Sequence, residues 1–184
     1  MSSTNRGAKR AKNDFYETPS WCVEAILPHL PIGGTVLDPC AGKGAILRVC
    51  PASFDCKMAI EINKDLEYDL RAIATGEFDL WIDDALSLSF WPKADLVLMN
   101  PPFSKAEAFV RMSIGEQRAY HGTTCALLRL GFLASKKRQD FIRANPPDVY
   151  VLSKRPSFNG EGTDSCDYGW LVWGPGRGGR WFVL

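Results

Sequence analysis

The sequence predicts an α/β fold with an open, mostly parallel β-sheet, and three observations lead to this prediction. Short apolar segments alternate along the chain with amphipathic segments, an order typical of parallel sheets that carry helices on both faces. Three of the apolar segments end in acidic residues, at the sheet edge where open α/β sheets bind ligands. The last two strongly apolar segments are joined by a polar loop without a helix. We therefore expect seven strands that end in a C-terminal antiparallel hairpin.

The size and composition of the chain fit one domain. It has 184 residues, 46% of them apolar, which is enough to build a core. Residues 1–13 are polar and basic and are predicted to form a flexible tail, and residues 14–184 a single domain. Since neither a membrane-spanning run nor a signal sequence is evident, we expect a cytoplasmic protein without a membrane partner. The net charge of +1 does not by itself indicate nucleic acid.

The cysteine and histidine pattern predicts neither a metal site nor a disulfide framework. No two of the six cysteines have C-x-x-C spacing, and His29 and His121 lie far apart. Zinc sites need closely spaced ligand pairs, and disulfide frameworks are typical of small exported domains. We expect the thiols to be small reduced residues, most of them in the core.

The predicted elements begin with a helix that Thr18 caps, with Pro19 at its first position and Pro28 near its end. Strands and helices then alternate, and a last edge strand at 180–184 is also conceivable. Helices are expected to follow the first five strands, except that only a polar loop separates the third strand from the fourth. The predicted strands cover residues 35–38, 57–61, 78–83, 94–100, 123–133, 148–153 and 168–173.

The loop DPCAGKG (38–44) is the first candidate ligand site. Gly42 and Gly44 allow backbone angles and close approaches that other residues resist. The pattern matches neither the dinucleotide fingerprint G-x-G-x-x-G nor a Walker A loop, because Leu47 and Leu37 stand where glycines are needed. Glu61 follows Asp38 by 23 residues, a spacing that suits an acid that binds ribose hydroxyls.

The most specific signal is NPPF, Asn100 to Phe103, at the end of the fourth strand. Pro101 and Pro102 cannot continue a strand and form a rigid corner. The side-chain oxygen of Asn100 and the carbonyl of Pro101 are two acceptors, and Phe103 offers an aromatic face. Two acceptors that hold both N–H bonds of an exocyclic amine would localise its lone pair, while the ring stacks on the base. The motif therefore predicts chemistry on an amino group of a planar base.

Together, DFYETP (14–19), LDPCAGKG (37–44), AIE (59–61), DDAL (83–86) and NPPF (100–103) resemble the amino-methyltransferases with the Rossmann-like class I fold. They are especially similar to small DNA N6-adenine methyltransferases of phage type, and the resemblance covers about residues 14–173. It implies an S-adenosylmethionine-dependent enzyme that needs no metal and methylates N6 of adenine, with DNA as its partner.

The resemblance also implies roles for individual residues. Tyr16 and Thr18 would contact the methionine end of the donor, and Glu61 its ribose. Asp84 would accept a hydrogen bond from the adenine amino group of the donor. The target amine and base would be held at the corner formed by Asn100, Pro101, Pro102 and Phe103. The residues around the methionine and ribose would be Asp38, Pro39, Ala41, Gly42 and Gly44.

Substrate selection is less determined by the sequence. The loop 153–166, with Lys154, Arg155 and Phe158, is a candidate substrate contact, although a surface hairpin would have the same composition. The chain contains no separate segment for target recognition, in contrast to larger family members. The alternatives are an RNA adenine N6-methyltransferase, a protein glutamine N5-methyltransferase and a non-catalytic nucleic-acid-binding module.

Overall fold

A computed structural model describes residues 17–158 and 162–184, which form a single mixed β-sheet with helices on both faces. The strand order is β3-β2-β1-β4-β5-β7-β6-β8. The pairs among β1 to β5 are parallel, β7 runs antiparallel to β5 and β6, and β8 pairs parallel with β6. The predicted α/β class and the antiparallel pairing of β6 and β7 are confirmed. The predicted tail, residues 1–13, lies outside the described residues.

The elements follow the apolar segments of the sequence closely. The strands are β1 (Gly34–Asp38), β2 (Phe54–Glu61), β3 (Glu77–Ile82), β4 (Leu96–Met99), β5 (Thr123–Arg129), β6 (Asp148–Val151), β7 (Tyr168–Trp173) and β8 (Trp181–Val183). The helices are α1 (Ser20–Ile26), α2 (Ala45–Val49), α3 (Glu67–Ala72), α4 (Ala106–Tyr120) and α5 (Gln139–Ala144).

Three predictions about these elements are wrong. The sheet has eight strands rather than seven, because Trp181–Val183 pairs with β6. The fifth strand ends at Arg129, and the chain then forms a turn of 3₁₀-helix over Leu130–Phe132. Thr18 does not cap α1, since Pro19 holds the cap position and makes no side-chain capping bond. The Thr18 hydroxyl has another partner, which belongs to the candidate site.

Two apolar layers bury the two faces of the sheet. On one face, α1, α2 and α3 pack their apolar side chains, such as Ile26, Leu47 and Leu70, against the strands. On the other face, α4 and α5 do the same, for example with Val110 and Phe141. Because both faces are covered, the central strands are almost continuously apolar, as expected for parallel strands buried on both sides.

The chain changes direction across the sheet between β1 and β4. It runs outward from β1 through β2 to β3, and β4 then returns to the other side of β1. The loops after β1 and β4 consequently lead away from each other, and a crevice opens between them, as at the ligand site of other doubly wound sheets. Asp38 and Asn100 stand at the two sides of this crevice.

Short helix α2, which follows the glycine loop, is tied to β2 by a buried lysine. The ammonium group of Lys57 donates to the carbonyls of Leu47 (3.1 Å) and Cys50 (2.6 Å). These carbonyls belong to the last turn of the helix and its end, where intrahelical donors are missing. Lys57 therefore caps α2 and fixes it to the sheet.

The C-terminal segment is anchored on the buried carboxylate of Asp148, at the start of β6. This carboxylate accepts hydrogen bonds from Gly178 N (3.0 Å) and from the backbone and guanidinium of Arg180, and Arg177 lies 3.7 Å away. Burial raises the pKa of Asp148, but the bonds to Arg180 and Gly178 outweigh it and lower the pKa to about 2. Asp148 thus holds the loop that carries the chain from β7 to β8.

Among the described residues, no helix has the length and apolar character that crossing a bilayer requires. All six cysteines are free thiols, and four of them, Cys22, Cys50, Cys56 and Cys125, are buried.

We predict that Asp148→Asn lowers the free energy of unfolding by about 2–3 kcal/mol at pH 7, since it removes a buried charge that two arginines face. The native pKa lies below that of the unfolded chain, so this stabilisation is present above about pH 4 and disappears as the pH falls to about 2. Urea unfolding of both proteins from pH 7 to pH 2 measures the difference.

The matched control is Asp167→Asn, which breaks an exposed ion pair with Arg155. We expect this variant to unfold almost like the unaltered protein, because exposed pairs contribute little. Equal stability of the Asp148 variant and the unaltered protein at pH 7 would contradict the anchoring role.

Candidate active site

A cavity of about 840 Å³ opens at the carboxyl ends of the central strands, within the crevice between β1 and β4. This volume lies in the range of small-molecule binding sites. Most of the residues predicted from the two motifs line it. They are Thr18, Asp38, Pro39, Ala41, Gly42, Glu61, Asp84, Asn100 and Pro102.

Three predicted residues of the same motifs do not line this cavity. Pro101 is buried within the proline corner, and Phe103 belongs to an aromatic cluster beside it. Gly44 has a φ of 75° and lies so close to the end of α3 that a Cβ atom there would overlap the side chain of Ile73. Gly44 thus shapes the loop from behind. Tyr16 lies outside the described residues.

Glu61 holds the glycine loop in place. Its two carboxylate oxygens accept hydrogen bonds from the backbone N–H of Gly42 (2.7 Å) and of Asn63 (2.8 Å). The side chain therefore links the end of β2 to the loop after β1, and it does so from a buried position. A carboxylate has about four acceptor sites, so these two bonds are compatible with further ones to a ligand.

Asp38 is buried at the end of β1 and has an unusual acidity. Burial raises its pKa to about 7, and the nearby Glu61 adds to this rise, whereas hydrogen bonds from the backbone and thiol of Cys40 oppose it. A carboxyl group that is costly to ionise within the protein is stabilised in its charged form by a cationic ligand. The wall beside the glycine loop is thus suited to positive charge.

Asn100 is oriented by Thr18. The amide nitrogen of Asn100 donates to the Thr18 hydroxyl at 3.0 Å, across 82 residues of sequence. This bond explains why Thr18 is buried without capping α1. Because the amide nitrogen is held on Thr18, the carbonyl oxygen lies at the opposite end of the amide. The geometry fixes Asn100 as an acceptor at the proline corner.

Several cavity residues were not predicted from the sequence. Ile62 is 54% exposed although it is aliphatic, and it lines the cavity next to Glu61. Asn63 follows it, and Lys105 lies 3.9 Å from Asp84 on the opposite side. The position of Ile62 directly after the acidic strand end is a usable sequence signal. Lys105, at the start of a helix, carries no such signal.

Beside the cavity, Phe103 belongs to a cluster of rings that also contains a guanidinium group. The centroid of Phe103 lies 6.0 Å from that of Tyr168 and 6.4 Å from that of Phe158. The guanidinium carbon of Arg129 lies 4.2 Å from the Phe103 centroid. Phe158, predicted in the loop 153–166, is thus brought to the proline corner, and the sequence gave no indication of Arg129 or Tyr168.

The two other predicted substrate residues are engaged elsewhere. Lys154 lies over the ring of Trp21, 4.4 Å from its centroid. Arg155 forms an ion pair with Asp167 at 2.8 Å. Neither lines the cavity. Within the described ranges, no group of three or more His, Cys, Asp and Glu side chains is arranged to hold a metal ion.

One curated protein shares sequence with part of the chain, and no protein-family model matches it. A Pyrobaculum aerophilum protein, assigned as ribosomal RNA small subunit methyltransferase A, is 33% identical over 96 residues. The match covers 52% of this chain and 41% of that protein, so the chain spans less than half of this relative's length.

Several solved structures have the same fold. A Listeria monocytogenes protein assigned as a class I S-adenosylmethionine-dependent methyltransferase matches with a TM-score of 0.65 and 14% identity, over 97% of this chain and 68% of that one. A Pyrococcus horikoshii protein assigned as an RNA methyltransferase matches with a TM-score of 0.66 and 19% identity, over 94% of both chains. A Plasmodium falciparum dimethyladenosine transferase matches with a TM-score of 0.66 and 13% identity, over 88% of this chain and 62% of that one.

These structural matches have low sequence identity, so they inform the fold rather than the activity. They agree with the strand order, the C-terminal hairpin and the crevice between β1 and β4. The chain therefore has the Rossmann-like class I fold of the S-adenosylmethionine-dependent methyltransferases.

Proposed function

We propose that this protein uses S-adenosylmethionine to methylate the exocyclic N6 amino group of adenine in a nucleic acid. The observation that carries the proposal is one cavity that brings the buried acid Asp38 and the oriented acceptor Asn100 together. The first suits a cationic methyl donor, and the second suits an amine that must be made nucleophilic.

The donor side fits S-adenosylmethionine in charge and in shape. The ligand carries a sulfonium and an ammonium group, and the cavity wall is rich in carboxylates. Glu61 is the candidate for the ribose hydroxyls, and Asp84 for the adenine amino group. Ile62 supplies apolar surface for the adenine ring. The remaining contacts would come from Thr18, Pro39, Ala41, Gly42 and, from the segment outside the described residues, Tyr16.

On the target side, the protein supplies orientation and hydrogen-bond acceptors. When bound, S-adenosylmethionine provides an electrophilic methyl group on sulfur, so the chain needs only to present the amine in line with it. Asn100 and the carbonyl of Pro101 would each accept one N–H bond of the target amine. Pro101 and Pro102 keep both acceptors on a stiff corner, and Phe103 would stack on the base.

The comparisons favour RNA over DNA as the nucleic acid. The curated relative and two of the structural matches are named for action on RNA or on adenosine. The preference for DNA, which came from the resemblance to phage-type enzymes, has no support among them. We therefore propose RNA as the first candidate substrate. The protein glutamine methyltransferase and the non-catalytic binding module find no support there either.

The substrate is identified by supplying methyl-labelled S-adenosylmethionine with in vitro transcribed ribosomal RNA and, separately, with unmethylated DNA. Digestion to nucleosides and mass spectrometry then identify the product. We expect N6-methylated or N6,N6-dimethylated adenosine from RNA. The same modification in deoxyadenosine alone would make DNA the substrate, and label in neither polymer would refute the proposal.

We predict that Asn100→Ala lowers kcat by about 100-fold or more, because the target amine loses one of two acceptors. The affinity for S-adenosylmethionine, measured by calorimetry, should change less than threefold. Thr18→Val should give a smaller loss, since it removes only the bond that orients the amide. Asn145→Ala, far from the cavity, is the control for replacing an asparagine. Full activity of the Asn100 variant would remove this residue from the mechanism.

A second prediction concerns the pH dependence of donor binding. Binding of a cation stabilises ionised Asp38, whose pKa in the free protein is raised to about 7 by burial. The affinity for S-adenosylmethionine should therefore decrease as the pH falls below 7, by up to about tenfold per pH unit. Calorimetric titrations between pH 5.5 and 7.5 measure this slope. In Asp38→Asn the affinity should be weak and almost independent of pH, and a flat profile in the unaltered protein would contradict the assignment.

A further inference from the structure

Arg129 occupies a position of consequence beside the proline corner. It is the last residue of β5, which lies next to β4 in the sheet, and the target motif begins directly after β4. On its other side, Arg129 is opposite Tyr168 in the antiparallel pair of β5 and β7. Its side chain thus stands between the strand that leads to Asn100 and the end of the loop 153–167.

The guanidinium group is fixed by a closed set of hydrogen bonds. Its Nε donates to the Tyr168 hydroxyl at 2.9 Å, and Nη2 donates to Asp164 Oδ2 at 3.1 Å. The Tyr168 hydroxyl donates to the same oxygen of Asp164 at 2.9 Å. Three groups therefore hold one another, and the planar guanidinium cannot rotate without breaking at least one bond.

The face of this fixed group lies on Phe103. The guanidinium carbon is 4.2 Å from the Phe103 centroid, well within the range of cation–π attraction. Tyr168 and Phe158 contact the same ring at an angle. The orientation of Phe103 is thereby determined by side chains from β5, from β7 and from the loop between β6 and β7.

We infer that Arg129 is a positioning residue, which holds the ring of Phe103 in the orientation needed to receive the target base. The inference rests on the proposed function, because a target base is what the ring would receive. It adds that the base-side wall is assembled from the C-terminal hairpin through Arg129, rather than from the NPPF motif alone. A ring that is already oriented loses less entropy when a base stacks on it.

The test uses Arg129→Met, with Arg111→Met as its matched control. Arg111 lies 4.1 Å from the centroid of Phe141 and is bonded to Glu107, so it makes the same kind of contact on another part of the fold. With ribosomal RNA transcripts, Arg129→Met should lower kcat/KM by about 10- to 100-fold, mainly through a higher KM for RNA. The Kd for S-adenosylmethionine should stay within twofold, and Arg111→Met should leave all three constants unchanged.

A measurement without catalysis tests the same contact. In the full-length protein with ¹³C-labelled phenylalanine, the Phe103 ring signal is assigned by its loss in Phe103→Leu. It should shift and broaden in Arg129→Met and remain unchanged in Arg111→Met. If neither RNA nor DNA is methylated by the unaltered protein, the proposed function fails, and this signal still decides whether Arg129 holds the ring.

Two further variants keep the test decisive if Arg129→Met does not fold. Arg129→Lys retains the charge but not the planar fork, and it should show part of the loss in kcat/KM. Tyr168→Phe removes one bond to Arg129 and should raise the KM for RNA without affecting donor binding. An unchanged Phe103 signal, or kcat/KM within twofold of the unaltered protein in folded variants at Arg129 and Tyr168, would overturn the inference.

Discussion

The adjacency of β1 and β4 is the constraint on which the rest of the site depends. The two strands are neighbours in space but are separated in the chain by β2 and β3. Because the chain leaves β1 in one direction and returns at β4 in the other, a crevice forms where both strands end. The acid of one strand and the amide of the other therefore meet without any contribution from a second domain.

Buried polar groups give this crevice its order. Glu61 is saturated by backbone donors of the glycine loop, and Asn100 is held by Thr18. Asp38 differs from both, since its ionisation is opposed by its surroundings. The protein thus keeps two groups fixed while a third remains responsive to the charge of a ligand. Such a division is possible because low local polarity amplifies each electrostatic difference.

Local patterns in the sequence were sufficient for the strands, the hairpin and the two motifs, since each has a signature within a few residues. They were insufficient where a distant partner decides. Thr18 has the sequence features of a helix cap, but Asn100 competes for its hydroxyl from 82 residues away. The strand at Trp181–Val183 is only three residues long and forms because β6 offers an edge. Arg129 is an ordinary strand-end residue until β7 brings Tyr168 to it.

The tie between Lys57 and α2 has a consequence for how the pocket can change over time. The ammonium group grips the helix from below the sheet, on the side away from any ligand, yet that helix supports the glycine loop. The firmness of the loop is therefore set by a side chain that no ligand touches. Substitutions in the interior of β2 offer a route by which cofactor affinity can drift or be engineered while every contacting residue stays the same.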